Sequence, residues 1–421
     1  MGSIFSLKYF RLNPFHYLLM AFSLLYFAGT TQFTATDQGL AIVFLIYASV
    51  FFLSGHKLDS QFGTITIVYV LVNIIPILYF QSLPNLSTFI GFYLRVASGY
   101  FLVKTVGEPI LLIFEDLIVK SAIISLPLYF VQITFPTFFH FFSNVNFSFG
   151  LQQSEARSIN IIIFHINGWS PDRNSGFMWE PGVYGMVLGL AIILNLIRNY
   201  FKFTPPFFLL LIVAITTMST TTYICLLIIS VFILFNKDIK NKFILVPIVV
   251  AAFAYTLQQS FLTDKIIDSY DQGYSLAQKN LNFARYQHIN RFGGFIINIK
   301  EFIKFPLGYT FLVEYRTQTA IGSLGSANGL SEFIQMWGIF GIIFLYKAIK
   351  GFFKNLQRKY YFKGIIIPAI VFLLYISSNP VTRTPLFFAL MLLPLLKMRT
   401  KKKYNNSSVV PKVMQAKQII D

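Results

Sequence analysis

The chain has 421 residues, of which 34 are Lys or Arg and 16 are Asp or Glu, giving a formal charge of +18. Only 12% of the residues are charged, against roughly 25% in an ordinary soluble chain, while 55% are hydrophobic and 18% aromatic. A water-soluble globule is excluded, because a chain of this length would form domains with polar shells that so few charges cannot coat.

A bilayer core about 30 Å thick takes roughly 20 mostly apolar residues per helix. Twelve runs meet or approach that length, near residues 17–33, 40–53, 64–80, 87–103, 118–135, 181–197, 206–218, 222–235, 243–258, 329–346, 364–377 and 385–396. The pattern predicts an all-α polytopic integral membrane protein with about 12 transmembrane helices. Lys8 and Arg11 before the first run resemble a secretion signal, but the many spans that follow make this a retained first helix.

Lys and Arg fall in alternate gaps, which fixes orientation. One side holds Lys8, Arg11, Lys57, Lys104, Lys120, Arg198, Lys202, the cluster at 237–242, the stretch 347–363 and the basic tail from Lys397. The short gaps of the other side hold only Arg383. The N and C termini are therefore expected in the cytoplasm, and the basic residues orient membrane helices instead of binding nucleic acid. The predicted organisation is 1–135 (helices 1–5), an external loop 136–180, 181–258 (helices 6–9), a large external loop 259–328, 329–396 (helices 10–12) and a cytoplasmic tail 397–421. Residues 107–117, with Glu108, Glu115 and Asp116, are too polar to span and are expected along the cytoplasmic face. In the second large loop Ile289, Phe292, Phe295, Ile296, Ile299, Phe302 and Ile303 recur at helical spacing. They predict an amphipathic helix, lying on the membrane or packed on the protein's own rim.

The polar residues of interest gather in the external segments. In the stretch from Asp172 to Gly185, Pro181 suits the first turn of a helix, and Arg173 near that helix start makes a natural anion site. Glu180, at the same start, is a poor general base but a good acceptor for an arginine or a sugar hydroxyl; the competing reading is a capping carboxylate. Arg285, His288 and Arg291 follow at three-residue steps and can face one cleft, where guanidinium forks suit phosphate. Solvated loop charges or contacts to lipid headgroups compete with that role. Arg95 stands deep in an apolar run, at an insertion cost of roughly 2.5–3.5 kcal/mol, and should face a protein interior or a wet cavity. The run from Thr216 to Thr222, centred on Ser219, offers six hydroxyls either to a sugar or to helix ends. Cys225 is the sole cysteine, so no internal disulfide forms, and no metal-ligand spacing or nucleotide loop appears.

These residues resemble the bacterial O-antigen and capsule repeat-unit polymerases of Wzy type, with the related O-antigen ligases. The likeness rests on Arg173-x2-Gly176-Phe177-x2-Glu180-Pro181, the hydroxyl run around Ser219, Arg291-x14-Pro306-Leu307-Gly308-Tyr309, and Asn328-x9-Gly338-x2-Gly341, in the family's order. It implies a metal- and cofactor-independent glycosyl transfer at the outer face of the bacterial inner membrane, with undecaprenyl-pyrophosphate-linked oligosaccharide as substrate. External arginines would bind the pyrophosphate, which maps onto Arg173 and Arg291 with Arg285 as competitor. Glu180, His288 and Glu314 are the candidates for the base, and a chain-length regulator and a flippase are the implied partners. The ligases place a His before the Asn of the last motif, whereas this chain has Ala327-Asn328, which favours a polymerase over a ligase. A lipid-linked oligosaccharide flippase is the transporter alternative. It should carry charges along a central cavity, but here the polar residues concentrate in two loops.

Overall fold

The computed structural model describes residues 13–30, 37–140, 158–168, 170–236, 267, 270–271, 291–312, 328–378 and 381–396. Among them the helices are α1 (Pro14–Ala28), α2 (Asp37–Leu53), α3 (Ser60–Phe80), α4 (Leu86–Val106), α5 (Ile110–Thr134), α6 (Pro136–His140), α7 (Pro181–Arg198), α8 (Pro205–Thr216), α9 (Thr220–Asn236), α10 (Arg291–Lys304), α11 (Gly329–Tyr360), α12 (Ile366–Ser378) and α13 (Pro385–Leu392). Their starts are written locally. Asn13, Asp59, Asn85, Thr204, Asn328 and Thr384 each cap the helix that follows, accepting a backbone N–H with a short side-chain oxygen. Pro14, Pro181, Pro205 and Pro385 fill first-turn positions where an N–H has no intrahelical partner.

The protein is mostly helical, and among the described residues four helices (α3, α4, α7 and α11) are long and apolar enough to cross a membrane. Shorter apolar helices, among them α1, α8, α9 and α12, accompany them. On α3 the side chains of Ile67, Leu71 and Leu78 are 61%, 56% and 71% exposed, an apolar exterior suited to lipid. A small departure from an all-α chain is an antiparallel hairpin, β1 (Ile159–Asn160) paired with β2 (His165–Ile166), inside the loop that precedes α7.

The centre of the fold is α7, buried along almost its whole length against α5, α8, α9 and α12. Close approach is possible because of two glycines. A Cβ on Gly185 would lie 1.8 Å from Thr222 Oγ1 of α9, and one on Gly189 would lie 1.9 Å from the Tyr375 hydroxyl of α12. Small residues at such four-residue spacing let helix backbones meet where lipid supplies no hydrophobic drive. A second packed group forms around α4, between α2 and α13, with Phe51, Phe62 and Phe101 in mutual ring contact.

Two segments differ from the sequence expectation. Residues from Ile110 onward are not a separate segment; they are the first turns of the continuous helix α5, which runs on to Thr134. Glu115 can enter that helix because Asn195 and Arg198 donate to its Oε1 at 2.8 and 2.7 Å, while Asp116 pairs with Lys120 at 2.8 Å. The tenth run continues well past residue 346 as α11, kinked at Gly338. The ninth run, 243–258, lies outside the described residues.

The amphipathic segment is α10, packed on α11 by an unusual face. Gly293, Gly294, Ile297, Asn298 and Glu301 point inward, with Asn298 donating to Ser331 Oγ at 2.9 Å. Phe292, Phe295 and Ile303 point outward and are exposed. The chain then crosses α11 at its kink. Gly308 at φ 89° and Gly338 at φ 56° meet there, and a Cβ on Gly338 would lie 2.2 Å from the Pro306 carbonyl oxygen. Thr310 N–H donates to Met336 O at 2.7 Å and Ile339 N–H to Pro306 O at 2.8 Å. Residues 306–309 and 338–341 thus form a brace that fixes α10 on α11.

Candidate functional site

The loop before α7 is held from several sides. Tyr129 of α5 donates its hydroxyl to Asp172 O at 3.1 Å, and Gln132 donates to Pro171 O. Asn174 binds the end of α8 twice, its N–H to Thr216 O and its Nδ2 to Thr216 Oγ1, both at 3.0 Å. Asn174 Oδ1 accepts from Gly176 N–H at 2.9 Å, and Trp179 N–H donates to Ala28 O at 3.1 Å. From the hairpin, His165 N–H donates to Gly176 O at 2.5 Å. The His165 side chain is itself buried, which pulls its imidazole down to about 4 and keeps it neutral. Buried backbone groups that are satisfied in this way fix the loop, and with it the point from which Arg173 leaves the chain.

Arg173 opens into a cavity of about 310 Å³ at the start of α7, together with Ser170, Glu180, Gly182, Ser219, Thr220, Thr221, Tyr270, Arg291 and Phe292. That volume is at the lower end for small-molecule sites. Residues from the loop before α7, the turn between α8 and α9, and the first turn of α10 therefore share one wall. Glu180 stands at the N-cap of α7, but its side chain makes no capping bond there. It instead accepts from Arg291 Nη2 at 2.5 Å, with 26% and 33% of the two side chains exposed. Arg173 makes no ion pair among the described residues, so two guanidiniums face one carboxylate and the cavity is net positive. An α-helix N-terminus on the same wall adds its partial positive charge.

The hydroxyl run divides between both of its expected roles. Thr216 and Thr217 donate to Val213 O and Ala214 O, each at 2.7 Å, and Thr222 packs on α7. Ser219, Thr220 and Thr221 line the cavity. Asn328 does not line it; its Oδ1 accepts from Ser331 N–H at 3.0 Å while its Nδ2 reaches the Arg291 carbonyl at 3.5 Å, so it ties the first residue of α10 to α11. Arg95 lies elsewhere, folded back along α4 beside Gly91. Arg285, His288 and Glu314 fall outside the described residues. Sequence reasoning missed Ser170, in the loop before α7, and Tyr270, which is helical but stands in a stretch that the apolar pattern did not single out. The Tyr270 ring stacks on Phe292, with centroids 6.4 Å apart and planes 21° apart, and gives the cavity a flat apolar edge.

Among the described residues no group of three His, Cys, Asp or Glu side chains lies together to hold a metal ion. The cavity can instead bind an anion through guanidinium forks and order hydroxyl-rich ligand parts beside it. No protein-family model, no curated protein and no solved structure matches this chain.

Proposed function

We propose that the protein is a polysaccharide repeat-unit polymerase of the O-antigen or capsule type, a glycosyltransferase of the bacterial inner membrane. In this reading the chain has about twelve spans with both termini in the cytoplasm, and the cavity at the start of α7 faces outward. The donor is a glycan on undecaprenyl pyrophosphate, and the acceptor is a hydroxyl of a lipid-linked repeat unit. Attack of that hydroxyl on the anomeric carbon forms the new glycosidic bond and breaks the bond to the pyrophosphate oxygen, and the hydroxyl's proton passes in net to the released pyrophosphate. Negative charge then grows on the departing pyrophosphate, where Arg173 and Arg291 stabilise it more in the transition state than in the ground state. Glu180 holds the Arg291 guanidinium, Ser219, Thr220 and Thr221 supply bonds to sugar hydroxyls, and Tyr270 on Phe292 takes an apolar sugar face. The outward apolar side chains of α10 give the polyprenyl carrier a lipid-side approach.

The observation that carries this reading is the meeting of Arg173, Glu180, Arg291 and Ser219, which are 118 residues apart in sequence at the extremes (291 − 173), around one cavity. The test is elongation of a lipid-pyrophosphate-linked oligosaccharide by the purified protein in vesicles. Formation of longer glycan is expected. Scrambling of labelled carrier between leaflets without elongation would instead mark a flippase and overturn the proposal. In cells, loss of the protein should leave surface glycan capped with a single repeat unit.

A further inference from the structure

At the far end of α7 a second cavity, of about 430 Å³, opens between the first turn of α5, the last turns of α7 and α11, and the segment after α13. Its charged lining is Glu108, Glu115, Arg198, Arg358 and Lys359. The two carboxylates are already matched. Glu115 is buried and takes bonds from Asn195 and Arg198, and Glu108 lies 3.6 Å from Lys359.

What remains unspent is cationic. Arg198 uses Nη2 on Glu115, while its Nε is buried and has no hydrogen-bond partner among the described residues. Arg358 makes no ion pair among the described residues. No side chain caps α5, whose partly positive N-terminal end lies at this cavity. Guanidinium groups there select a phosphate, whose oxygens accept from their forks. The remaining wall is apolar, with Leu111, Leu112, Leu393 and Leu396. A free phosphate would leave that wall unused, whereas a phosphate that carries an acyl chain fills both parts. The surrounding end of the bundle, with Lys202, Lys354 and Lys363, adds positive charge and disfavours a cationic ligand.

We propose that this cavity binds one anionic phospholipid, its phosphodiester accepting from the Arg198 and Arg358 guanidiniums and an acyl chain lying along the four leucines. The site is independent of the cavity at the start of α7 and does not rest on the glycosyl-transfer reading.

The test uses the full-length protein in detergent, titrated with phosphatidylglycerol, with phosphatidylcholine of the same acyl chains, or with inorganic phosphate, and read by native mass spectrometry. Phosphatidylglycerol should bind at least about tenfold more tightly than phosphatidylcholine. Arg358→Gln should lose most of that preference, while Lys354→Gln, an exposed neighbour outside the cavity lining, should retain it. Equal affinity for the two headgroups overturns the proposal. So does an equal loss in both variants, which would mean diffuse surface charge, and so does inorganic phosphate binding as tightly as the lipid, which would mean that the apolar wall takes no part.

Discussion

The two ends of α7 hold ion pairs under opposite conditions. At its start Glu180 meets Arg291 with both side chains about a quarter to a third exposed, and Arg173 stands beside them without an ion pair among the described residues. At its end Glu115 is 2% exposed and takes two donors on one oxygen, from Asn195 and Arg198. About 27 Å separates the ends, the rise of an 18-residue helix and close to the thickness of a bilayer core. A half-exposed pair contributes on the order of 0–1 kcal/mol, so an incoming anion can draw Arg291 away from Glu180 cheaply. A buried pair cannot be opened that way, because either partner alone would be left as an uncompensated charge. Under the proposed function, similar pairings serve ligand exchange at one end and helix placement at the other.

The sharpest test of that contrast is Glu115→Leu, which leaves the partly buried Arg198 and the buried Asn195 without their shared acceptor. We expect a loss of about 3–5 kcal/mol, read as lower thermal stability and reduced abundance in the membrane; an unchanged melting profile would place the pair among dispensable contacts. Next come Arg173→Ala and Arg291→Ala. Under the proposed function each should reduce elongation by roughly 10²–10³-fold, the size of a lost oxyanion donor, with membrane abundance unchanged. Near-normal glycan length in both would remove the pyrophosphate role.

A smaller effect is expected from pH. Burial holds the folded His165 near 4, below its ordinary 6.5, so the unfolded loop takes up more protons between those values. Stability of the loop that bears Arg173 is thus full above about pH 6.5 and falls as pH drops toward 4, by about 2 kcal/mol at pH 5. Limited proteolysis of the loop should accelerate between pH 7 and 5 in the wild type and not in His165→Gln; parallel curves would discount the histidine. Glu180→Gln is the mildest change, since it keeps the side-chain volume and frees Arg291. A rate loss of about tenfold is expected, and wild-type elongation would show that Arg291 needs no carboxylate to hold it.

Much of this was legible one residue at a time. Pro181 marks a helix start through local chemistry, and the apolar runs mark the helices themselves. Arg173, Glu180, Ser219 and Arg291 stood out as polar groups in segments expected to be external. Tyr270 did not, because a single aromatic residue carries no pattern until Phe292 of another segment is stacked on it. The continuity of α5 through Glu115 was not legible for a related reason: its partners Asn195 and Arg198 lie 80 and 83 residues away, so its charge looked unmatched in the sequence.

By itself the sequence determined the apolar, helical character of the chain, the helix starts and the uneven distribution of Lys and Arg, since each depends on neighbours within a turn or on simple composition. Only the tertiary structure decided that Arg291 reaches Glu180 while Asn328 reaches the Arg291 carbonyl, that α10 turns its glycines inward, and that Glu115 is buried in α5. Those outcomes depend on distances between residues far apart along the chain, and such distances are set by how helices pack.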